Sequence, residues 1–245
     1  MEKSYAEKYH QLEEIYWWFH ARRDMIYKLI KDYGRDVRIL EVGCSGGALL
    51  KFLKKQGFKK LYGIDIDKDA IEICRQKDIS DVSVADAEKT AFKDQKFDLI
   101  IASDILEHIR EEDRALLEWN RILKPGGRLF IFVPAFKFLW SQHDKVNRHY
   151  RRYSKAGLIE ILEKNGFRIE KVSYWNFSLF LPATLIRLTK KLFARNGTGS
   201  GDQLYGTPGF INKTLEYVLG LENRLLSGGI NLPVGISLFA VARKL

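Results

Sequence analysis

Cysteine is nearly absent: Cys44 and Cys74 are the only two in 245 residues. Two thiols make neither a disulfide framework nor a zinc site, so a stapled secreted miniprotein is excluded and a reducing, cytoplasmic compartment is expected. Long hydrophobic runs are also missing. Val172–Ile186 has no charge but is too short to span a bilayer and carries Pro182, while Leu225–Ala242 contains three glycines, Asn231 and Pro233. The opening stretch MEKSYAEKYHQLEEIYWWFH mixes acids and bases around no apolar core, so no signal peptide is expected there. With 46% hydrophobic residues the chain is neither disordered nor collagen-like, and its length suits one large domain or one domain with an elaboration.

Acidic residues run short in one place. Residues 1–136 hold 24 basic and 24 acidic side chains, residues 137–195 hold 13 and 4, and residues 196–245 hold 4 and 3. Almost all of the net charge of +10 therefore sits in one quarter of the chain. Such a local field favours an anionic partner: phosphate, nucleic acid or a membrane surface.

From Arg38 onward a beta–alpha rhythm sets in. RILEV (38–42), LYGID (61–65), VSV (82–84), FDLIIA (97–102) and RLFIFV (128–133) read as strands. Helical stretches fall between them at 48–57, 68–77 and 111–123, with apolar residues at three- and four-residue steps. Two later strands are expected at 167–175 and 236–244, separated by two helical stretches and the loop NGTGSGDQLYGTPG (196–209). The expected fold is α/β: a doubly wound, seven-stranded, mainly parallel Rossmann-like sheet. Its divisions are an N-terminal helical cap (1–35), a cofactor-binding core (36–175 plus 234–245) and a helical insertion (176–233).

RILEVGCSGGALLKFL runs strand, tight turn, helix, and Gly43, Gly46 and Gly47 let backbone pass close to a ligand at a helix N-terminus. Asp65 ends the next strand, where a carboxylate can accept from a ribose diol. The alternative for Asp65, capping the following helix, could equally fall to Asp67. The dinucleotide fingerprint G-x-G-x-x-G finds Gly43 but Ser45 and Ala48 at its other positions. An acidic residue followed by alternate glycines fits better, with Glu41, Gly43, Ser45 and Gly47. ADAEKTAF (85–92), FDLIIASDILEHI (97–109) and RILKPGGRLFIFVPA (121–135) follow in order.

On these five motifs the chain resembles the class I S-adenosylmethionine-dependent methyltransferases, over roughly residues 36–175 plus the last strand. Within them it is similar to the small-molecule branch that includes the ubiquinone-pathway O-methyltransferases. The resemblance implies S-adenosylmethionine as cofactor and S-adenosylhomocysteine as product. Gly43 to Gly47 would surround the methionine part, with Glu41 steadying the loop or facing the amine. Asp65 would hold the ribose hydroxyls, Ile66 would lie against the adenine, and Asp86 and Ala87 would meet its edge. Ser103 would approach the methionine moiety, and Arg22, in WWFHARR, would reach the cofactor carboxylate. Ser45 departs from the usual glycine, and Gly46 is expected to take any positive φ.

The acceptor is expected over PAFKFLWSQHDKVNRHYRRYSKAGL (134–158), beyond the carboxyl ends of the strands. His149, His143, Asp144 and Tyr150 are candidate bases or orienters, Tyr150 also a candidate acceptor contact, and Arg148, Arg151 and Arg152 are candidate clamps for phosphate or carboxylate. HYRRY after HD resembles a subgroup often associated with cell-surface sugar and lipid biosynthesis; the residues read equally as a structural anchor. Asp104, Glu107 and His108 share a helix face, for catalysis or only a capped helix start, and Trp17 and Trp18 suit core or site alike. His143 and His149 have no partner at metal-ligand spacing, so no metal is expected. SLFLPATLIRLTKKLFAR (178–195) sets apolar residues beside Arg187, Lys190, Lys191 and Arg195, which suits an interfacial helix at the inner membrane surface, a lid, a homodimer face or a helix packed on its own domain. The expected activity is methyl transfer to a small or lipid-linked, anionic acceptor at oxygen. A non-catalytic cofactor-binding scaffold and an RNA methyltransferase are the alternatives, with nucleic acid ranked lower because stacking aromatics are sparse among the basic residues.

Overall fold

The computed structural model describes residues 12–193 and 208–245. Seven strands form one sheet in the order β3-β2-β1-β4-β5-β7-β6. They are β1 (Arg38–Val42), β2 (Lys60–Asp65), β3 (Val82–Val84), β4 (Phe97–Ser103), β5 (Leu123–Pro134), β6 (Phe167–Trp175) and β7 (Ser237–Lys244). β7 is slotted between β5 and β6 and runs antiparallel to both, while the other pairings in the sheet are parallel. The expected fold class is what forms, and each expected strand lies within a few residues of its observed bounds.

The central strands are apolar on both faces because helices cover both. On one face Ile39, Leu99, Ile101 and Phe130 pack beneath α1 (Trp17–Ile30), α2 (Ala48–Lys55) and α3 (Lys68–Gln76). On the other, Leu40, Ile100, Ala102 and Ile131 meet α4 (Glu112–Ile122) and, past the short α5 (Gln142–Val146), α6 (Lys155–Lys164). Adjacent strand residues thus serve opposite cores, as period-two geometry requires.

The insertion before β7 supplies α7 (Phe180–Phe193) and α8 (Gly209–Ser227). Buried Asn223 of α8 accepts from Trp175 Nε1 at 2.7 Å and donates to Ala21 O at 2.8 Å, joining α8 to β6 and α1. Glu222 accepts from Phe177 N at 3.0 Å and Ser178 N at 3.1 Å, fixing the entry to α7. The N-terminal helix and the insertion are therefore tied together above the carboxyl ends of β4 and β5. No described helix is long and apolar enough to cross a membrane. Most of the loop expected at 196–209, and Arg195, lie outside the described residues.

Candidate active site

The turn after β1 is built as its glycines require, with one exception. Gly43 and Gly47 take φ of 72° and 74°, and Ser45 itself takes 47°. Gly46 was expected to absorb that conformation; Ser45 adopts it instead, its N–H held by Asp65 Oδ2 at 2.9 Å. Gly47 admits no side chain: a Cβ there would lie 2.6 Å from Ile79 Cδ1 and 2.9 Å from Cys74 Sγ. Cys74 and Cys44 are both buried free thiols behind this turn.

Asp67, not Asp65, caps α3, accepting from Asp69 N. That leaves Asp65 facing the turn. Its two oxygens accept from Ser45 N and Asp67 N, each at 2.9 Å. Ile66, next in the chain, is 77% exposed at the strand end, an open platform for a planar ring. Asp86 and Ala87 follow β3; Asp86 Oδ1 accepts from Glu88 N at 2.8 Å and Ala87 O from Trp119 Nε1 at 3.0 Å.

Glu41 ends up buried beneath the turn with Oε2 unbonded. Burial, then the neighbouring Glu13, pushes its carboxyl well above the usual range. Arg22 of α1 is also buried. Its guanidinium lies 4.4 Å from the Trp18 and Phe132 ring centroids and 4.3 Å from that of Trp175. It donates to Ser103 Oγ at 2.8 Å and pairs with Asp104 Oδ2 at 2.8 Å. Arg22, Glu41, Gly43, Ser45 and Ser103 all line one cavity of about 100 Å³.

A second cavity, about 290 Å³, adjoins it, and Trp18, Phe19 and Asp104 line both. His108, His143, His149 and Arg152 converge there. A larger hollow of about 490 Å³ between α1 and α8 includes no residue of the glycine turn. The adjoining pair is where the chemistry can occur.

Asp144 organises the second cavity without touching it. It is 0% exposed, accepts from Arg152 Nε at 2.7 Å and Nη2 at 3.1 Å, and takes Nδ1–H of His149 at 3.0 Å. Burial would raise its carboxyl, but the hydrogen bonds from His149 and Arg152 outweigh that and hold it below the usual carboxylate range. Ionised, Asp144 can only accept, so the His149 ring presents Nδ1–H to it and turns Nε2 the other way. Of the two roles open to Asp144, base or orienter, its burial and partners fit the second: it positions His149 and Arg152. Burial, and then His149, drives His108 down to about 4. Burial likewise takes His143 down to about 4.

Two acceptor contacts expected from HYRRY are corrected as well. Tyr150 is 54% exposed, and neither it nor Arg151 is among the described residues lining the cavity. Arg151 pairs with Glu112 Oε1 at 2.7 Å and donates to Arg110 O at 2.7 Å, an anchor at the start of α4. Arg152 does line the cavity, but Asp144 matches its charge.

Asp104, Glu107 and His108 stand on a short 3₁₀ turn, Leu106–His108 closing it, instead of one helix face. His108 meets His149 edge-to-face with ring centroids 4.5 Å apart. Glu107, His108 and His149 offer ligand atoms within 4.8 Å of one another, a set able to hold a metal ion. Expecting no metal rested on sequence spacing; the fold supplies the partner that spacing lacked. Glu107 is pushed well above the carboxylate range by burial and then by Asp104. Arg187 of α7 and Asn176 also line this cavity, although no local pattern assigned them to it.

Residues 40–131 match a family model described as a methyltransferase domain. An uncharacterized protein of Methanocaldococcus jannaschii is 29% identical over 175 residues, 67% of this chain and 79% of that protein. The ubiquinone biosynthesis O-methyltransferase of Pelagibacter ubique is 26% identical over 162 residues, 59% of this chain and 67% of that protein. Among solved structures, a SAM-dependent methyltransferase from Archaeoglobus fulgidus superposes with a TM-score of 0.60 at 22% identity, covering 96% of this chain and 99% of that one.

Proposed function

The chain is a class I S-adenosylmethionine-dependent methyltransferase, and from that premise we propose that it methylates an oxygen of a small or lipid-linked acceptor, with His149 as the base. The residues present fit the cofactor. The unbonded Glu41 Oε2 awaits a cationic donor such as the amine, and Glu41 lines the same cavity as Gly43 and Ser45 of the turn. Asp65 takes the ribose hydroxyls, Ile66 the adenine face, and Asp86 with Ala87 its edge. When bound, the cofactor supplies a sulfonium whose methyl carbon is electrophilic.

What the chain must add is alignment, exclusion of water and a place for one proton. Trp18 and Phe19, in the wall common to both cavities, exclude water where the two meet. His149 Nε2 takes the acceptor's hydroxyl proton as its oxygen bonds to the methyl carbon, and Asp144 stabilises the imidazolium that forms. Once the methyl group is given up and the bond's electron pair is kept on sulfur, the chain has one proton left to pass from His149 to water. His143 and His108, held neutral, shape the cavity but are weak bases at neutral pH.

The single observation that carries this reading is the His149–Asp144 pair facing a cavity that shares its wall with the glycine-turn cavity. In the same reading the enzyme works in the cytoplasm at the inner membrane surface, where Leu181, Leu185 and Leu188 of α7, all exposed, meet lipid. Methyl-labelled cofactor and a panel of hydroxylated acceptors test it. His149→Gln should lower turnover by about 10²–10⁴-fold while S-adenosylhomocysteine affinity stays within about twofold. Equal loss of both would mean that His149 only supports the fold.

A further inference from the structure

We propose that Arg187 is the acceptor-recognition residue of the second cavity and binds an oxyanion, a phosphate or carboxylate, carried by the methyl acceptor. The proposal rests on the acceptor reading above. Arg187 comes from α7, outside the seven-stranded sheet, and lines the same cavity as His149. Its Nη1 donates to Leu139 O at 3.1 Å, the one acceptor it meets among the described residues. Five N–H donors radiate from a guanidinium, so most of its fork is left for a ligand.

Charge accounting around the cavity singles it out. Asp144 neutralises Arg152, and Arg22 neutralises Asp104. Arg187 makes no ion pair with any described carboxylate, its one hydrogen-bonded contact being the carbonyl of Leu139. Arg187 is therefore the cation without a carboxylate partner among these lining residues. Burial, then repulsion from Arg152, brings it down to about 10, so it remains charged at neutral pH. Withdrawing an unpaired cation from water is costly, and an arriving oxyanion offsets that cost. Planar, bidentate donation is what a guanidinium offers to phosphate and carboxylate.

Arg187 replaces Arg151 and Arg152 in the part that HYRRY suggested for them, since both of those have carboxylate partners. The outer side of the helix bearing Arg187 exposes Leu181, Leu185 and Leu188, along which a hydrocarbon chain attached to the oxyanion can leave the cavity.

The test uses the full chain saturated with S-adenosylhomocysteine and needs no turnover. Octyl phosphate, octanoate, octan-1-ol and inorganic phosphate are titrated calorimetrically at one low salt concentration. At least one octyl anion should bind roughly tenfold or more tighter than octan-1-ol. Arg187→Gln should abolish that preference, and Arg187→Lys should keep part of it. Octyl phosphate tighter than inorganic phosphate identifies a lipid headgroup; equal affinity identifies a free phosphate group. Octan-1-ol binding as tightly as both anions, no anion binding, or a preference unchanged in Arg187→Gln would overturn the proposal. Failure to bind S-adenosylhomocysteine in the first place would instead sink the methyltransferase reading, so the two failures are distinguishable.

Discussion

Replacing Asp144 by Asn perturbs the site most informatively, because one carboxylate serves three partners: His149, Arg152 and Ser141, whose N–H it accepts at 2.8 Å. Asp144 and Arg152 are both almost wholly withdrawn from solvent, and their two hydrogen bonds are 2.7 and 3.1 Å long. Removing the negative charge leaves Arg152 buried without its counter-ion, a change that costs about 3–5 kcal/mol. In a chain of this size that lowers Tm by roughly 6–20 °C. The His149 Nδ1–H bond, 3.0 Å, loses its ionised acceptor at the same time, and turnover should fall by about 10²–10⁴-fold. Differential scanning calorimetry reads the first effect and a labelled-methyl assay the second. Adding Arg152→Met separates them: it removes the stranded cation, so stability should largely return while turnover stays low. The pH dependence has a definite sign. Asp144's folded value is depressed below its unfolded one, so its stabilisation is complete above about pH 4 and is lost as pH falls through the lowered value. Asp144→Asn should therefore lose part of the wild-type acid sensitivity below pH 4. A Tm within about 2 °C of wild type, or recovery of turnover together with stability in the double variant, would refute this reasoning.

Gly47→Ala combines a left-handed backbone with a clash against Ile79 and Cys74, and should cost about 2–4 kcal/mol by urea denaturation; an unchanged midpoint would show that the turn relaxes freely. Burial and Glu13 push the Glu41 carboxyl upward and a bound cationic amine pushes it back down, so over the range in which it titrates S-adenosylhomocysteine affinity should rise with pH, by up to about tenfold per unit. Glu41→Gln should flatten that slope, and a slope surviving the substitution would assign the proton elsewhere. Arg151→Ala, which removes only a partly exposed pair with Glu112, should change stability by about 1 kcal/mol or less and leave the acceptor KM alone; a large KM increase would restore Arg151 to the site.

What could be read before the fold was local. Each central strand is a short apolar run, and the glycine turn lies within five residues between β1 and α2. The pairing of Asp65 with the turn and Asp67 with the helix cap was open because both fit a two-residue window; only the backbone direction after β2 separates them. The acceptor cavity could not be read that way. His108 and His149 are 41 positions apart and meet through the return of the chain after β5. Arg151 and Arg152 are neighbours of identical chemistry, yet one anchors to Glu112 outside and the other to Asp144 inside. Arg187 sits in an amphipathic pattern equally suited to a lipid face; its turn into the cavity depends on Leu139 and on how Glu222 fixes the entry to α7.

The most direct test is calorimetric titration of the full chain with S-adenosylmethionine and S-adenosylhomocysteine, with NAD as control, in wild type and Asp65→Ala. The expected result is micromolar binding of the first two, none of NAD, and at least about tenfold weaker cofactor binding once the ribose carboxylate is gone. Binding of neither S-adenosyl compound, or an affinity indifferent to Asp65, would contradict the assignment of the glycine turn and Asp65 as the cofactor site.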